Sequence, residues 1–292
     1  MAWSAEPYIF EAIGTTWQID LPDGFLVSKK EALIKKILER IEIFDRNYSR
    51  FRSDSLVTEM SKQVGVYTLP DDAELLFSLY ENLYRLTKGA VTPLIGSALV
   101  EAGYDPSYSL EAKEIKPVLR WENVLKRNAL SLEVTHPVML DFGAAGKGYL
   151  IDIVSDILRK EKIENFCVDA GGDMIYDSTQ DFLKVGLEHP QDQKKIIGVA
   201  SIKNQSICGS AGNRRQWGEF HHIINPHTLI SPQDVLAVWV IAPTALLADG
   251  LTTALFFTES HILQQEYTFE YLLMRSDQSI IKSDNFPAEF FY

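Results

Sequence analysis

Asp249 and Thr253 stand four residues apart in Ala245–Phe257, an otherwise apolar stretch preceded by Pro243 and Thr244. On a helix that spacing puts a carboxylate and a hydroxyl on one face. Hard oxygens of this kind suit magnesium, which keeps several waters and takes phosphate oxygens to complete its octahedron. The alternative is a threonine bonded back to its own helix and an aspartate facing solvent.

Three further constellations carry chemistry. Asp141-Phe-Gly-Ala-Ala-Gly-Lys147-Gly148 is a run of small residues leading into a helical pattern. Small residues let a backbone approach a ligand closely, a helix N-terminus attracts anions, and Lys147 adds a point charge. Neither Walker A nor GxGxxG spacing is present. The competing reading is a tight turn with an exposed lysine. Asp169-Ala-Gly-Gly-Asp173 follows a short apolar run and suits either contact with a sugar or phosphate or a plain hairpin turn. Arg214-Arg215-Gln-Trp217 precedes His221-His222-Ile-Ile-Asn225-Pro226. Arginines grip phosphate bidentately, and a histidine can act as general base. Adjacent histidines on a strand face opposite sides, so at most one enters any given site. His222 could equally be a packed strand residue.

The elements that must position these groups are mixed. Ser28-Lys29-Lys30-Glu31 reads as a capping box ahead of Leu33, Ile37, Ile41 and Phe44 at helical spacing. A second helix is predicted from near Asp71 to Gly89, with Leu76, Tyr80 and Leu83 on its buried face. A third follows Gly148 through Leu150, Ile153, Val154, Ile157 and Leu158. Strands are predicted at Trp17–Asp20, Phe166–Val168 and Val235–Ile241, and a hairpin over Phe269–Ile281 around Ser276-Asp277-Gln278. Thr244 caps the helix that carries Asp249. Asn47–Lys62 reads as a loop around short elements. Strands and helices do not alternate as in a Rossmann sheet, so the class expected is α+β.

Composition sets outer limits. The chain has 292 residues, 46% apolar and 23% charged, so disorder and coiled coil are excluded. The net charge of −12 argues against nucleic-acid or anionic-membrane partners. Two cysteines, Cys167 and Cys208, without a CxxC exclude a disulfide framework and a four-cysteine zinc site. Met1–Phe10 lacks a basic and apolar leader pattern, and no apolar run reaches the ~20 residues of a membrane span. A soluble, cytoplasmic protein is the expectation.

Taken in order, the segments resemble the FAD:protein FMN transferases, the ApbE-like flavin transferases. The resemblance starts at Ile13-Gly14-Thr15-Thr16 and continues through Ser49-Arg50-Phe51, Gly89-Ala-Val-Thr-Pro93 and Gly103-Tyr104-Asp105. It is strongest at Asp141–Gly148, Asp169–Asp173, His222–Pro226 and Ala248-Asp249 to Thr253-Ala254. It implies one ApbE-like domain over residues 1–292, an α+β fold with antiparallel sheets and packed helices in a single compact body. It also implies cleavage of the FAD pyrophosphate, transfer of FMN to a threonine or serine hydroxyl of a target flavoprotein, and release of AMP. Asp249, Thr253 and the carbonyl of Ala144 would hold magnesium. Asp141 and Lys147 would contact FAD, and Ile13, Phe51, Ala90, Val91, Thr92 and Ile223 would line its pocket. Asp169, Gly171, Gly172 and Asp173 join the ligand-binding set, with His222 and Lys147 as catalytic or phosphate-contacting groups. Two alternatives share these residues: a FAD pyrophosphatase that uses water, and a carrier that holds FAD without cleaving it.

Overall fold

The structure, a computed structural model, describes residues 6–22 and 27–291, except for the side chains of residues 27, 28 and 214. The predicted cap at Ser28 therefore lies outside the described side chains. In chain order the elements are β1 (Tyr8–Ala12), β2 (Thr15–Asp20), α1 (Val27–Tyr48), α2 (Leu56–Met60), β3 (Gly65–Thr68), α3 (Ala73–Leu86), α4 (Gly96–Glu101), α5 (Trp121–Val124), β4 (Leu125–Asn128) and β5 (Ser131–Val134). There follow α6 (Gly146–Lys160), β6 (Phe166–Ala170), β7 (Asp173–Asp177), β8 (Leu183–His189), β9 (Asp192–Ile202), β10 (Gln205–Ala211), β11 (Gln216–Trp217) and β12 (Phe220–His221). The chain closes with β13 (Val235–Ala242), α7 (Ala245–Ala254), α8 (Ser260–Leu263), β14 (Glu270–Arg275), β15 (Ile280–Lys282) and β16 (Ala288–Phe290).

An eight-stranded sheet in the order β1-β2-β6-β7-β10-β13-β14-β15 forms the spine, and its neighbouring strands run antiparallel. Alternate residues feed two cores. Trp17, Ile19, Phe166, Val168, Val238 and Val240 pack against α1, α3, α6 and α7. Cys167, Tyr176, Ile207, Ile241 and Leu272 pack against the smaller sheet β16-β9-β8. Because both faces of β13 are covered, its run from Val235 is continuously apolar rather than alternating. Each fully buried Leu or Ile in these layers contributes roughly 1.5–3 kcal/mol. The observed class is α+β, as expected.

The elements differ from the sequence prediction in a few places. Helix α1 runs through Tyr48 and α2 occupies Leu56–Met60, capped by Ser55. The segment read as a loop around short elements thus holds the end of α1 and the short helix α2. Helix α6 starts at Gly146, so Lys147 sits inside its first turn rather than before it. Helix α7 stops at Ala254, short of Phe257, and the Thr244 hydroxyl accepts the Leu247 amide as predicted. Strands β8 and β9 carry charged residues such as Lys184, Lys194 and Lys195 and gave no strand signal. Among the described residues no helix is long and apolar enough to cross a membrane.

Candidate active site

Helices α6 and α7 cross almost in contact. A Cβ at Gly148 would lie 2.1 Å from the carbonyl oxygen of Ala245, so only glycine fits. That approach lets the Gly148 amide donate to Oδ2 of Asp249 at 2.8 Å. Asp249 is buried, and burial raises its pKa while the nearby Lys147 opposes the rise. Thr253 lies one turn further along α7 and lines the same space. The hydroxyl that bonds back to the helix belongs instead to Thr252, which donates to the Asp249 carbonyl at 2.7 Å.

These groups border a cavity of about 850 Å³. Its lining brings together Ile13, Phe51, Ala90, Val91, Thr92, Asp141, Ala144, Lys147, Gly171, Gly172, Asp173, His222, Ile223, Asp249 and Thr253. Every predicted site residue is on that wall except Asp169. The Asp169 carboxylate accepts the Gly172 amide at 2.8 Å and fastens the β6–β7 turn. The backbone at Asp169–Asp173 is the hairpin that the sequence left as an alternative. Its glycines, both at positive φ, also face the cavity.

Two predicted ligand contacts have internal partners. Asp173, nearly fully buried, accepts the Gly209 amide at 2.8 Å and pairs with the Lys147 ammonium. Asp141 accepts the Gly143 amide at 2.7 Å and pairs with Arg50 Nε at 2.5 Å. Arg50 also donates to the Tyr104 carbonyl at 2.8 Å. Sequence reasoning gave Arg50 no role, because its partner lies 91 residues away.

The two histidines take different roles, although only His221 is in a strand, β12, and their ring centroids lie 6.2 Å apart. Nδ1 of His221 accepts the Ile223 amide at 3.2 Å, which leaves Nε2–H to donate to the Pro232 carbonyl at 2.9 Å. That ring is a structural fastener. His222 lines the cavity, and its buried Nδ1 has no partner among the described residues. Burial, helped by the Arg215 guanidinium, pushes its pKa down to about 3, so the imidazole is neutral at physiological pH.

The mouth is aromatic. Phe51 and Tyr108 stack with centroids 5.7 Å apart, and Tyr104 packs edge-on against both. Ile13 and Gly14 form the two-residue turn between β1 and β2, both at positive φ, which holds Ile13 at the cavity rim.

No cluster of three His, Cys, Asp or Glu side chains suitable for a metal occurs among the described residues. Asp249, Thr253 and the Ala144 carbonyl offer oxygens only, with a single carboxylate. That donor set fits magnesium, which takes one or two carboxylates and fills its remaining positions with water and phosphate. It does not fit zinc, whose sites use nitrogen and sulfur.

Comparison with known proteins places the chain among its relatives. The ApbE family model matches residues 13–269. A FAD:protein FMN transferase of Haemophilus influenzae is 23% identical over 93% of this chain and 87% of its own. One from Klebsiella pneumoniae is 27% identical over 79% of this chain and 77% of its own. Among solved structures, the flavin transferase ApbE of Vibrio cholerae superposes with a TM-score of 0.81 at 20% identity, covering 98% of this chain and 99% of that one. The ApbE protein of Thermotoga maritima gives 0.81 at 21% identity, covering 97% of each chain. With residues 13–269 matched, the chain belongs to the ApbE family.

Proposed function

We propose that this protein is a FAD:protein FMN transferase that uses magnesium to cleave FAD, attaches FMN to a threonine or serine of a target flavoprotein, and releases AMP. The convergence of Asp249, Thr253, Lys147 and His222 on one cavity carries this reading. The activity for which its relatives are named supports it. In the proposed reaction the acceptor hydroxyl oxygen bonds to the phosphorus of the FMN half. The bond from that phosphorus to the bridging oxygen breaks, and AMP leaves with the electron pair. The hydroxyl proton passes to Nδ1 of His222, whose basicity rises when an anionic phosphate enters beside it. Lys147 and the α6 N-terminus offset charge on the diphosphate. Magnesium, held by Asp249, Thr253 and the Ala144 carbonyl, would supply Lewis-acid charge neutralisation. Such catalysis rests on positioning and electrostatics.

The test is incubation with FAD, magnesium and a co-expressed candidate flavoprotein, followed by mass spectrometry of the acceptor and assay of AMP. An FMN adduct on threonine or serine with matching AMP is expected. AMP with free FMN and no adduct would make the protein a pyrophosphatase. FAD binding without AMP would make it a carrier.

A further inference from the structure

Among the described residues, five carboxylates and four cations line the cavity: Asp45, Asp141, Asp173, Glu188 and Asp249 against Arg50, Arg52, Lys147 and Arg215. Three of the cations are already committed. Arg50 pairs with Asp141, Lys147 with Asp173, and Arg52 with Asp45, Asp54 and Glu42. Among the described residues Arg215 has no carboxylate partner.

Arg215 is nonetheless aimed. Its Nη1 donates to the Tyr104 hydroxyl at 2.7 Å, and its guanidinium lies 5.7 Å from the centroid of that ring. Tyr104 is itself buried and held in an aromatic group with Phe51, Tyr108 and Trp217. The strand that follows Arg215 is tied down as well, because the Trp217 indole N–H donates to the Ala102 carbonyl at 2.7 Å. The Arg215 carbonyl accepts the His222 amide at 3.2 Å, which places the guanidinium's own segment beside the candidate base.

We infer that Arg215 is the cation that receives the diphosphate of the nucleotide substrate, and that the Tyr104 hydroxyl is the group that positions it. The inference rests on FAD being the substrate. A guanidinium presents a planar fork that meets two phosphate oxygens at once, and holding Nη1 leaves its other N–H groups for the ligand. Lys147 serves the same anion from the α6 side, but with its charge shared by Asp173. Among the described residues Arg215 thus supplies the positive charge of the lining that no carboxylate shares.

The test is equilibrium binding without divalent metal at two salt concentrations, read by flavin fluorescence for FAD and riboflavin and by titration calorimetry for inorganic pyrophosphate. Arg215→Gln is expected to weaken FAD and pyrophosphate on the order of tenfold or more, leave riboflavin unchanged, and flatten the salt dependence. Arg215→Lys should recover part of the loss. Tyr104→Phe should weaken pyrophosphate in the wild-type background and have no further effect beside Arg215→Gln. Melting temperatures report any loss of fold, and the partly active Arg215→Lys protein keeps the comparison usable. Wild-type affinity for FAD and pyrophosphate in Arg215→Gln would overturn the inference, as would a wild-type protein that does not bind pyrophosphate. These readouts need no turnover. A wild type that binds FAD but modifies no acceptor would refute the transferase reading alone.

Discussion

The Gly148 amide donates to the Asp249 carboxylate at 2.8 Å, at a helix crossing where a Cβ on residue 148 would meet the Ala245 carbonyl oxygen at 2.1 Å. Gly148→Ala must therefore push α6 from α7. The expected cost is about 1–3 kcal/mol from overpacking, together with a large loss of activity as Asp249 shifts. Urea denaturation and AMP release measure the two effects. An alanine variant with wild-type stability would mean that the crossing is looser than described.

Asp249→Ala should abolish magnesium-dependent turnover while leaving the protein folded. The buried Gly148 amide loses its acceptor, at a cost of about 1–3 kcal/mol, partly offset by removing a carboxylate whose pKa is raised by desolvation. Thr253→Ala should be milder, because a neutral hydroxyl contributes less than a charged ligand. Magnesium titration of the rate in both variants decides the assignment, and full activity in Asp249→Ala would refute it.

Lys147→Ala should weaken FAD binding and also destabilise the fold. An exposed lysine after a turn would change stability by less than ~0.5 kcal/mol. Lys147 instead pairs with buried Asp173, so its loss strands a carboxylate at a cost of about 1–3 kcal/mol. Adding Asp173→Asn should restore stability and leave FAD affinity low. A thermal-shift series with and without FAD separates the two effects, and Lys147→Ala at wild-type stability would contradict the pairing.

His222 gives a pH signature. Its pKa in the fold is depressed to about 3, against roughly 6.5 in an unfolded chain. Below pH ~6.5 the unfolded chain takes up a proton that the fold refuses. The stability tied to the neutral ring is thus present above that pH and is lost as pH falls toward 3. His222→Gln should lose less stability than wild type between pH 6.5 and 4, as measured by denaturant titration at each pH. Identical pH dependence in the two proteins would place His222 in solvent.

Cys167 and Cys208 should both resist thiol reagents until the protein unfolds. Both are buried in the sheet, and burial pushes both thiols well above their usual pKa. Titration with a chromogenic disulfide before and after denaturant reads this directly. A rapidly reacting native thiol would be inconsistent with the packing of β6 or β10.

Much of the site was legible locally. The i, i+4 spacing of Asp249 and Thr253 set their shared face once Thr244 began a helix, since helical geometry depends only on the residues within it. The continuous apolar run from Val235 marked a strand covered on both faces. Strands β8 and β9 were not legible, because their charged residues face solvent and their apolar ones meet partners from distant segments.

The sequence by itself determined the main helices, the strands around Trp17, Phe166 and Val235, the α+β class, and which carboxylate and hydroxyl share a helix face. Only the tertiary structure decided how the charges are shared. Asp141 is committed to Arg50 and Asp173 to Lys147, while Asp169 fastens a turn and Arg215 is held by a tyrosine hydroxyl. Periodicity and capping follow from bonds between near neighbours. An ion pair across 91 residues depends on how the sheet orders its strands and how closely α6 approaches α7, which no local pattern encodes.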